Sequence, residues 1–261
     1  MTVRKYKRLG LYGSILVLSC GLIACTPAEE TNQETVAVVE VEEVEKDIQA
    51  STVEVKTEKY NETTDAFNIE IEMPILSGLK DENFQFDENK AMSESVMAYA
   101  ENIKQMALDI KEEGYLTSPY YVGVNYAVLM QNNSYLSIEI NYNEYTGGAH
   151  GNYYSDYLIY DLEAETRIAL KDIVKTDVDY MQVINDAVLE AIEDKRASSE
   201  YGDALHSWYE GVEEETLSFS LQADGFGVHF QPYEIGPYAE GAPSFIIPYE
   251  RLADIMVLKD F

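Results

Sequence analysis

Four prolines and two glycines fall within the twenty-one residues from His229 to Tyr249, HFQPYEIGPYAEGAPSFIIPY. Proline fixes φ and removes a donor, and glycine takes up conformations that other residues avoid, so no helix or central strand runs through this stretch. It is a loop with a specified path. Tyr233, Pro237 and Tyr238 place rigid, amphipathic surface on that path, suited either to a half-buried corner that closes a sheet or to a recognition surface. The fold must be built around this loop from elements lying elsewhere.

Those elements are marked by periodicity. Phe67, Ile69, Ile71 and Met73 alternate with polar residues up to Pro74, the pattern of a strand with one buried face. Ser77 to Gln85 reads as a loop. Asp87 then offers an N-cap, and Met92, Val96, Tyr99, Ile103, Met106 and Ile110 recur at helical spacing before Gly114, predicting a helix of about 26 residues. Strands are expected at 120–130, 134–142, 153–161 and 167–170, the first two joined by a tight turn at Gln131-Asn132-Asn133. Thr176 or Asp177 caps a second helix with Met181, Ile184, Val188 and Ile192 on its inner face, and a polar linker follows around Glu200 to Glu215. A hairpin turning at Asp224-Gly225, a short strand at 244–248 and a closing helical turn complete the chain. The expected class is α+β: helices packed on a largely antiparallel β-sheet, preceded by a disordered tether.

The N-terminus reads as an address. Arg4, Lys5, Lys7 and Arg8 precede an apolar run from Leu9 to Ala24, the layout of a secretory signal. The run is shorter than the roughly 20 apolar residues of a spanning helix. Leu22-Ile23-Ala24-Cys25 looks like a bacterial lipobox, which would make Cys25 the lipid-attachment residue; Cys20, after Leu18-Ser19, is the competitor. An ordinary signal peptide or an uncleaved anchor is the rival reading. With Cys25 the only cysteine after cleavage, no internal disulfide forms. The localisation expected is the outer face of the bacterial cytoplasmic membrane, touched through the lipid alone.

The 24 residues before Cys25 hold four of the 18 basic residues and none of the 48 acids, so from Cys25 onward 48 acids face 14 bases, a net charge of −34. Such a surface repels nucleic acid and attracts basic partners or divalent cations, although charge alone also keeps a secreted protein soluble. Residues 26–65 hold twelve acids, three lysines and no glycine, with no aromatic before Tyr60. Too little apolar area is present to offset ordering entropy, so an extended tether is expected, with Val36 to Val44 its one strand-like stretch. The expected layout is a signal peptide at 1–24, a tether at 25–65, a strand–helix–hairpin unit at 66–145 and a second unit at 146–261, the last two sharing one compact ectodomain that acts as a monomer.

Candidate chemistry is sparse. Tyr145-Thr146-Gly147-Gly148-Ala149-His150-Gly151 joins two strands, with His150 at the tip of the turn. The ring is either a ligand contact or general base, or a brace bonded to a backbone carbonyl. The other histidines are His206 and His229, the latter on the polar side of a strand. No HExxH, GxSxG, P-loop or strand-following GxGxxG motif is present, so neither a catalytic constellation, a metal site nor a cofactor is expected.

The YTGGAHG motif at 145–151, IALKDI at 168–173, FQPYEIGPYAEG at 230–241 and IIPY at 246–249, in that order, resemble the extracellular domain of the RsiV-type anti-sigma factors. The same pair of units is similar to the non-catalytic part of PdaC-type peptidoglycan deacetylases. The resemblance covers residues 66 to 261. In the RsiV branch it implies a receptor that fills the cleft of a lysozyme. Neither that family's cytoplasmic sigma-binding segment nor the deacetylase domain with its metal-binding histidines is read in this sequence, so what the resemblance implies is binding. Three functions stay open: a lipoprotein binding a basic c-type lysozyme, a peptidoglycan- or glycan-binding module with Trp208 among its rings, or a hydrolase using His150 with a carboxylate.

Overall fold

The computed structural model describes residues 53–197 and 203–259. Its first sheet has six strands in sequence order: β1 (Glu54–Thr63), β2 (Phe67–Ser77), β3 (Tyr120–Gln131), β4 (Tyr135–Tyr145), β5 (Asn152–Asp161) and β6 (Thr166–Arg167). All pairings are antiparallel except β2 with β3, which is parallel. Parallel neighbours need a long crossover, and helix α1 (Glu82–Glu112) supplies it. The sheet is therefore mixed and mostly antiparallel, and the α+β class holds.

Strand β1 corrects the expected tether, whose last ten or so residues are in the sheet. Glu54 to Thr63 pair residue by residue with Ser77 to Asn68. The strand escapes notice because it is an edge: only Val55 and Tyr60 pack towards the first core among its charged residues, and charge on an edge guards against further pairing. The division expected at residue 145 likewise falls at the β4–β5 turn, and β5 continues the same sheet.

The helix α1 is capped six residues before the expected Asp87, at Asp81, whose carboxylate accepts from the N–H groups of Asn83 and Phe84. It ends as anticipated at Gly114 (φ 81°), where Tyr115 N donates to Ile110 O and Gly114 N to Lys111 O, satisfying carbonyls of the last turn. Its buried stripe is Met92, Val96, Ala100, Ile103 and Ala107. Met106, placed inside by sequence, is instead exposed. The two alanines bring the helix close to Ile69, Ile71, Val122, Val124, Ile138 and Ile140, which form the first core. Truncating one of these, Ile138→Ala, should cost about 2–5 kcal/mol.

Helix α2 (Tyr180–Ala197), the short helix α3 (Asp203–Trp208), a second sheet of β7 (Ser218–Gln222), β8 (Gly225–His229) and β9 (Ser244–Ile247), and helix α4 (Tyr249–Leu252) follow. Gln182 N donates to Asp179 Oδ1, so the first turn of α2 is capped three residues after Thr176 and two after Asp177, the expected positions. Part of the expected polar linker is helical, as α3. Ile184, Val188 and Ile192 pack with Leu221, Phe226, Val228 and Phe245 in a second core. That core also takes in Met130, Tyr135 and Ile159 of the first sheet, so β7–β9 rests on the face opposite α1. Leu221 N donates to Ser137 Oγ across this seam.

Candidate functional site

The loop between β4 and β5 is shaped by its glycines. Gly147 (φ 102°) and Gly148 (φ 93°) occupy backbone conformations that L residues rarely adopt. Gly151 is needed for space instead, since a Cβ there would stand 2.5 Å from Glu144 O. Tyr145 Oη donates to Gly148 O at 3.0 Å and holds the loop against the end of β4. This leaves His150 exposed at the tip.

The proline-rich loop comes to meet it. Glu234 N donates to Gln231 O, with Pro232 and Tyr233 between them and Tyr233 at φ 72°. This is the geometry of a type II turn, whose third position normally goes to glycine or asparagine. The turn is secured twice. Gln231 N donates to Glu234 Oε2 at 2.7 Å, and the Gln231 side-chain amide both accepts from Ser155 N (3.1 Å) and donates to Ser155 O (2.9 Å) on the edge of β5. Pro237 then leads into a single 3-10 turn at Tyr238–Glu240, closed by Gly241 at φ 75°.

The two loops join through rings. His150 stacks on Tyr238 with centroids 4.0 Å apart and planes 20° from parallel. Tyr238 Oη donates to Gly151 O at 2.9 Å, and His150 Nδ1 lies 2.9 Å from the same oxygen, so one carbonyl fixes both rings. Because a carbonyl only accepts, Nδ1 carries the proton and Nε2 is the side left for a ligand. Tyr233 lies 5.5 Å from Tyr238 and is 54% exposed, while Tyr153 meets Tyr238 edge-on at 6.0 Å. Burial, and then the neighbouring Tyr238, push the Tyr153 hydroxyl above its usual range. The proline-rich loop carries Glu234 and Glu240, and neither loop contains a lysine or arginine.

Three of the four expected ligand-contact residues, His150, Tyr233 and Tyr238, thus form one corner, and Pro237 sets the path of Tyr238. Tyr153 and Gln231 belong to the corner and were not expected; their nearness to Gly151 and Pro232 was the available signal. Cys25 lies outside the described residues. Trp208 is exposed on α3.

His229 forms a second ring contact. It is 6% exposed and stacks on Tyr157 at 3.9 Å, with Ser220 Oγ 2.8 Å from Nε2 and Ser244 Oγ 2.9 Å from Nδ1. Gln222 Nε2 donates to Ser220 Oγ, which leaves the serine O–H to donate to Nε2 and Nδ1–H to donate to Ser244, a complete set for the neutral ring. Burial lowers its pKa to about 4. A serine beside a histidine suggests nucleophilic chemistry, but Ser220 is fully buried and Tyr157 covers the ring. Among the described residues no three of His, Cys, Asp and Glu gather where they could hold a metal, and no helix is long and apolar enough to cross a membrane.

Comparison with known proteins finds two family models in tandem. Residues 60–153 match one described as Deacetylase PdaC, and residues 171–250 match Protein of unknown function (DUF3298). The likeness to PdaC-type proteins extends to a curated relative, the peptidoglycan-N-acetylmuramic acid deacetylase PdaC of Bacillus subtilis (strain 168), 23% identical over 256 residues. The match covers 96% of this chain and 51% of the relative, so the chain spans about half the length of that protein. Two solved DUF3298-family structures share the fold, each covering 80% of this chain and 95% of its own. They come from Bacteroides fragilis (24% identical, TM-score 0.63) and Pseudomonas aeruginosa (15%, TM-score 0.56).

Proposed function

We propose that this chain is a binding module of the bacterial cell envelope, not a catalyst, and that it captures its ligand at the corner formed by His150, Tyr233, Pro237 and Tyr238. The observation that carries this reading is Tyr233. A large, half-exposed ring stands at a turn position that favours glycine, in a turn secured by two sets of side-chain bonds. Backbone strain of this kind persists only where its surroundings over-determine it, and it concentrates at binding and catalytic sites. Rings already ordered by stacking lose little entropy when a partner arrives.

The ligand we favour is a basic protein of the c-type lysozyme class, as the RsiV-type motifs imply. Glu234 and Glu240 in the proline-rich loop, and the net charge of −34 from Cys25 onward, support it by steering basic partners inward. The relative's name ties that protein to peptidoglycan, the polymer on which such partners act. Anchoring is proposed through a lipid on Cys25, with the acidic segment after it as a spacer. Loss of radiolabelled palmitate in Cys25→Ala would support that anchor, and retained label would remove it.

The binding test is calorimetry of the full chain against a c-type lysozyme at low and at physiological salt. Submicromolar affinity that survives physiological salt and is lost in Tyr238→Ala is the expected result. Heat seen only at low salt would mean nonspecific attraction between opposite charges, and the lysozyme reading would fall.

A further inference from the structure

The face of the six-stranded sheet opposite α1 is only half covered. The second sheet rests on the end that carries Ser137 and Tyr157. Alternation along β4 puts Asn141 and Asn143 on the same face as Ser137, and the pairing register sets Asn143 beside Gly123 and Asn141 beside Asn125. Across this other end runs a groove of about 240 Å³, bordered by Asn61 of β1, Glu70 of β2, Tyr121, Gly123 and Asn125 of β3, and Asn143 of β4.

We infer that this groove is a saccharide-binding site that takes a ring of a neutral glycan chain, beside the Tyr233–Tyr238 corner, where Asn143 pairs with Tyr153, but built from other residues. The first observation is a glycine in mid-strand. A Cβ on Gly123 would stand 2.5 Å from Tyr121 Oη and 3.0 Å from two of its ring carbons, so the tyrosine is folded back across the sheet over the bare glycine. Glycine within a strand weakens it and marks a close approach. Here the approach lays an aromatic ring along the groove floor, where a sugar ring can stack.

The second observation is the supply of uncommitted amides. Among the described residues the side chains of Asn61 and Asn143 make no hydrogen bond within the protein, and Asn125 uses only Oδ1, which accepts from Asn141 Nδ2 at 3.3 Å. Each free amide pairs a donor with an acceptor, as sugar hydroxyls do. Asn141 is itself fixed by Ser155 Oγ, which donates to Asn141 Oδ1 at 2.8 Å, so the ladder beneath the groove is pre-ordered. Charge argues for a neutral ligand. Glu70, held by Asn68 Nδ2 at 2.9 Å, offers a carboxylate acceptor, while the groove's lysine, Lys59, is paired with Glu72 at 2.5 Å. A phosphate or carboxylate would find no free cation here, and an apolar ligand would strip water from the amides.

Calorimetry of the full chain, held in a sugar-free detergent, against chitotetraose and cellotetraose tests the assignment. Saturable binding is expected, weakened about tenfold or more by Asn143→Ala and by Tyr121→Ala and unchanged by Tyr238→Ala. Asn143→Ala removes a side chain with no internal partner, so its unaltered circular dichroism separates lost binding from lost fold. Binding of chitotetraose alone would support the site with an N-acetylhexosamine as its sugar, and binding of both would support it for neutral hexoses generally. No saturable heat with either overturns the inference. So does binding that survives both groove substitutions but fails in Tyr238→Ala, which would move the sugar to the corner. The first negative result leaves the lysozyme test untouched, whereas the second would make a sugar the corner's ligand in its place.

Discussion

Two histidine–tyrosine stacks of nearly the same geometry sit in very different regions of this molecule. His229 on Tyr157, at 3.9 Å and 8°, lies in the seam between the two sheets; His150 on Tyr238, at 4.0 Å and 20°, lies at the exposed corner. In the seam both ring nitrogens are satisfied by serines, and in the corner only Nδ1 is engaged, by Gly151 O. The seam pair is a staple between layers, whereas the corner pair is a surface. Residue type does not tell them apart. What covers each pair does.

The largest effect should come from the seam. His229→Ala removes a buried ring and its bonds to two serine hydroxyls, and should cost about 3 kcal/mol in urea unfolding of the full chain. His150→Ala should cost less than about 1 kcal/mol, since water replaces its single exposed bond. Equal losses at the two sites would erase the distinction.

The pH dependence of stability comes next. Burial lowers the folded-state pKa of His229 to about 4, against 6.5 for an unperturbed ring. Between those values the unfolded chain binds a proton that the folded chain refuses. The contribution is therefore fully present above pH 6.5, is lost as pH falls from 6.5 to 4, and amounts to about 3 kcal/mol. Carboxylates also titrate near the lower limit, so the measurement is the difference between wild type and His229→Asn. That difference should change with pH across this window, and a flat difference would mean that the seam admits the charged ring.

How far the sequence anticipates these regions follows from what each element displays. The strand from Phe67, the hairpins and the inner face of α2 show their periods openly. The edge strand β1 does not, because its charged residues match those of a solvated spacer. Ala100 and Ala107 read as neutral in a hydrophobic pattern, yet they let α1 sit down on the sheet. The motifs around His150 and Tyr238 were visible, but their meeting was not, since the Tyr238–Gly151 bond joins residues 87 apart. Alternation placed His229 on a polar strand face, and nothing local said that β5 would cover it.

At the corner, Tyr238→Ala should separate binding from stability. The lost ring contact and hydrogen bond to Gly151 O are worth about 1 kcal/mol at a half-exposed position. Affinity for the proposed lysozyme partner should fall by about tenfold or more, equivalent to about 1.4 kcal/mol. Tyr238→Phe keeps the stack and loses only the hydroxyl, so it should retain most of the affinity. A Phe variant as weak as the Ala variant would shift the role from the ring to the hydroxyl.

The smallest expected effect has the opposite sign. Tyr233→Gly places the residue that the turn prefers at φ 72°, and relief of left-handed strain is worth about 1–2 kcal/mol. Part of that gain is returned because glycine has more freedom to lose on folding, so the net should be a stabilisation below about 1 kcal/mol, read as a slightly higher urea midpoint. Binding at the corner should nevertheless weaken, because the exposed ring is gone. A variant that is more stable and binds worse would mean that the tyrosine is kept there for recognition at a cost to the fold. If Tyr233→Gly instead lost stability, the ring would be packing against Tyr238 to hold the turn, and the exposed corner would resemble the buried seam more closely than its accessibility implies.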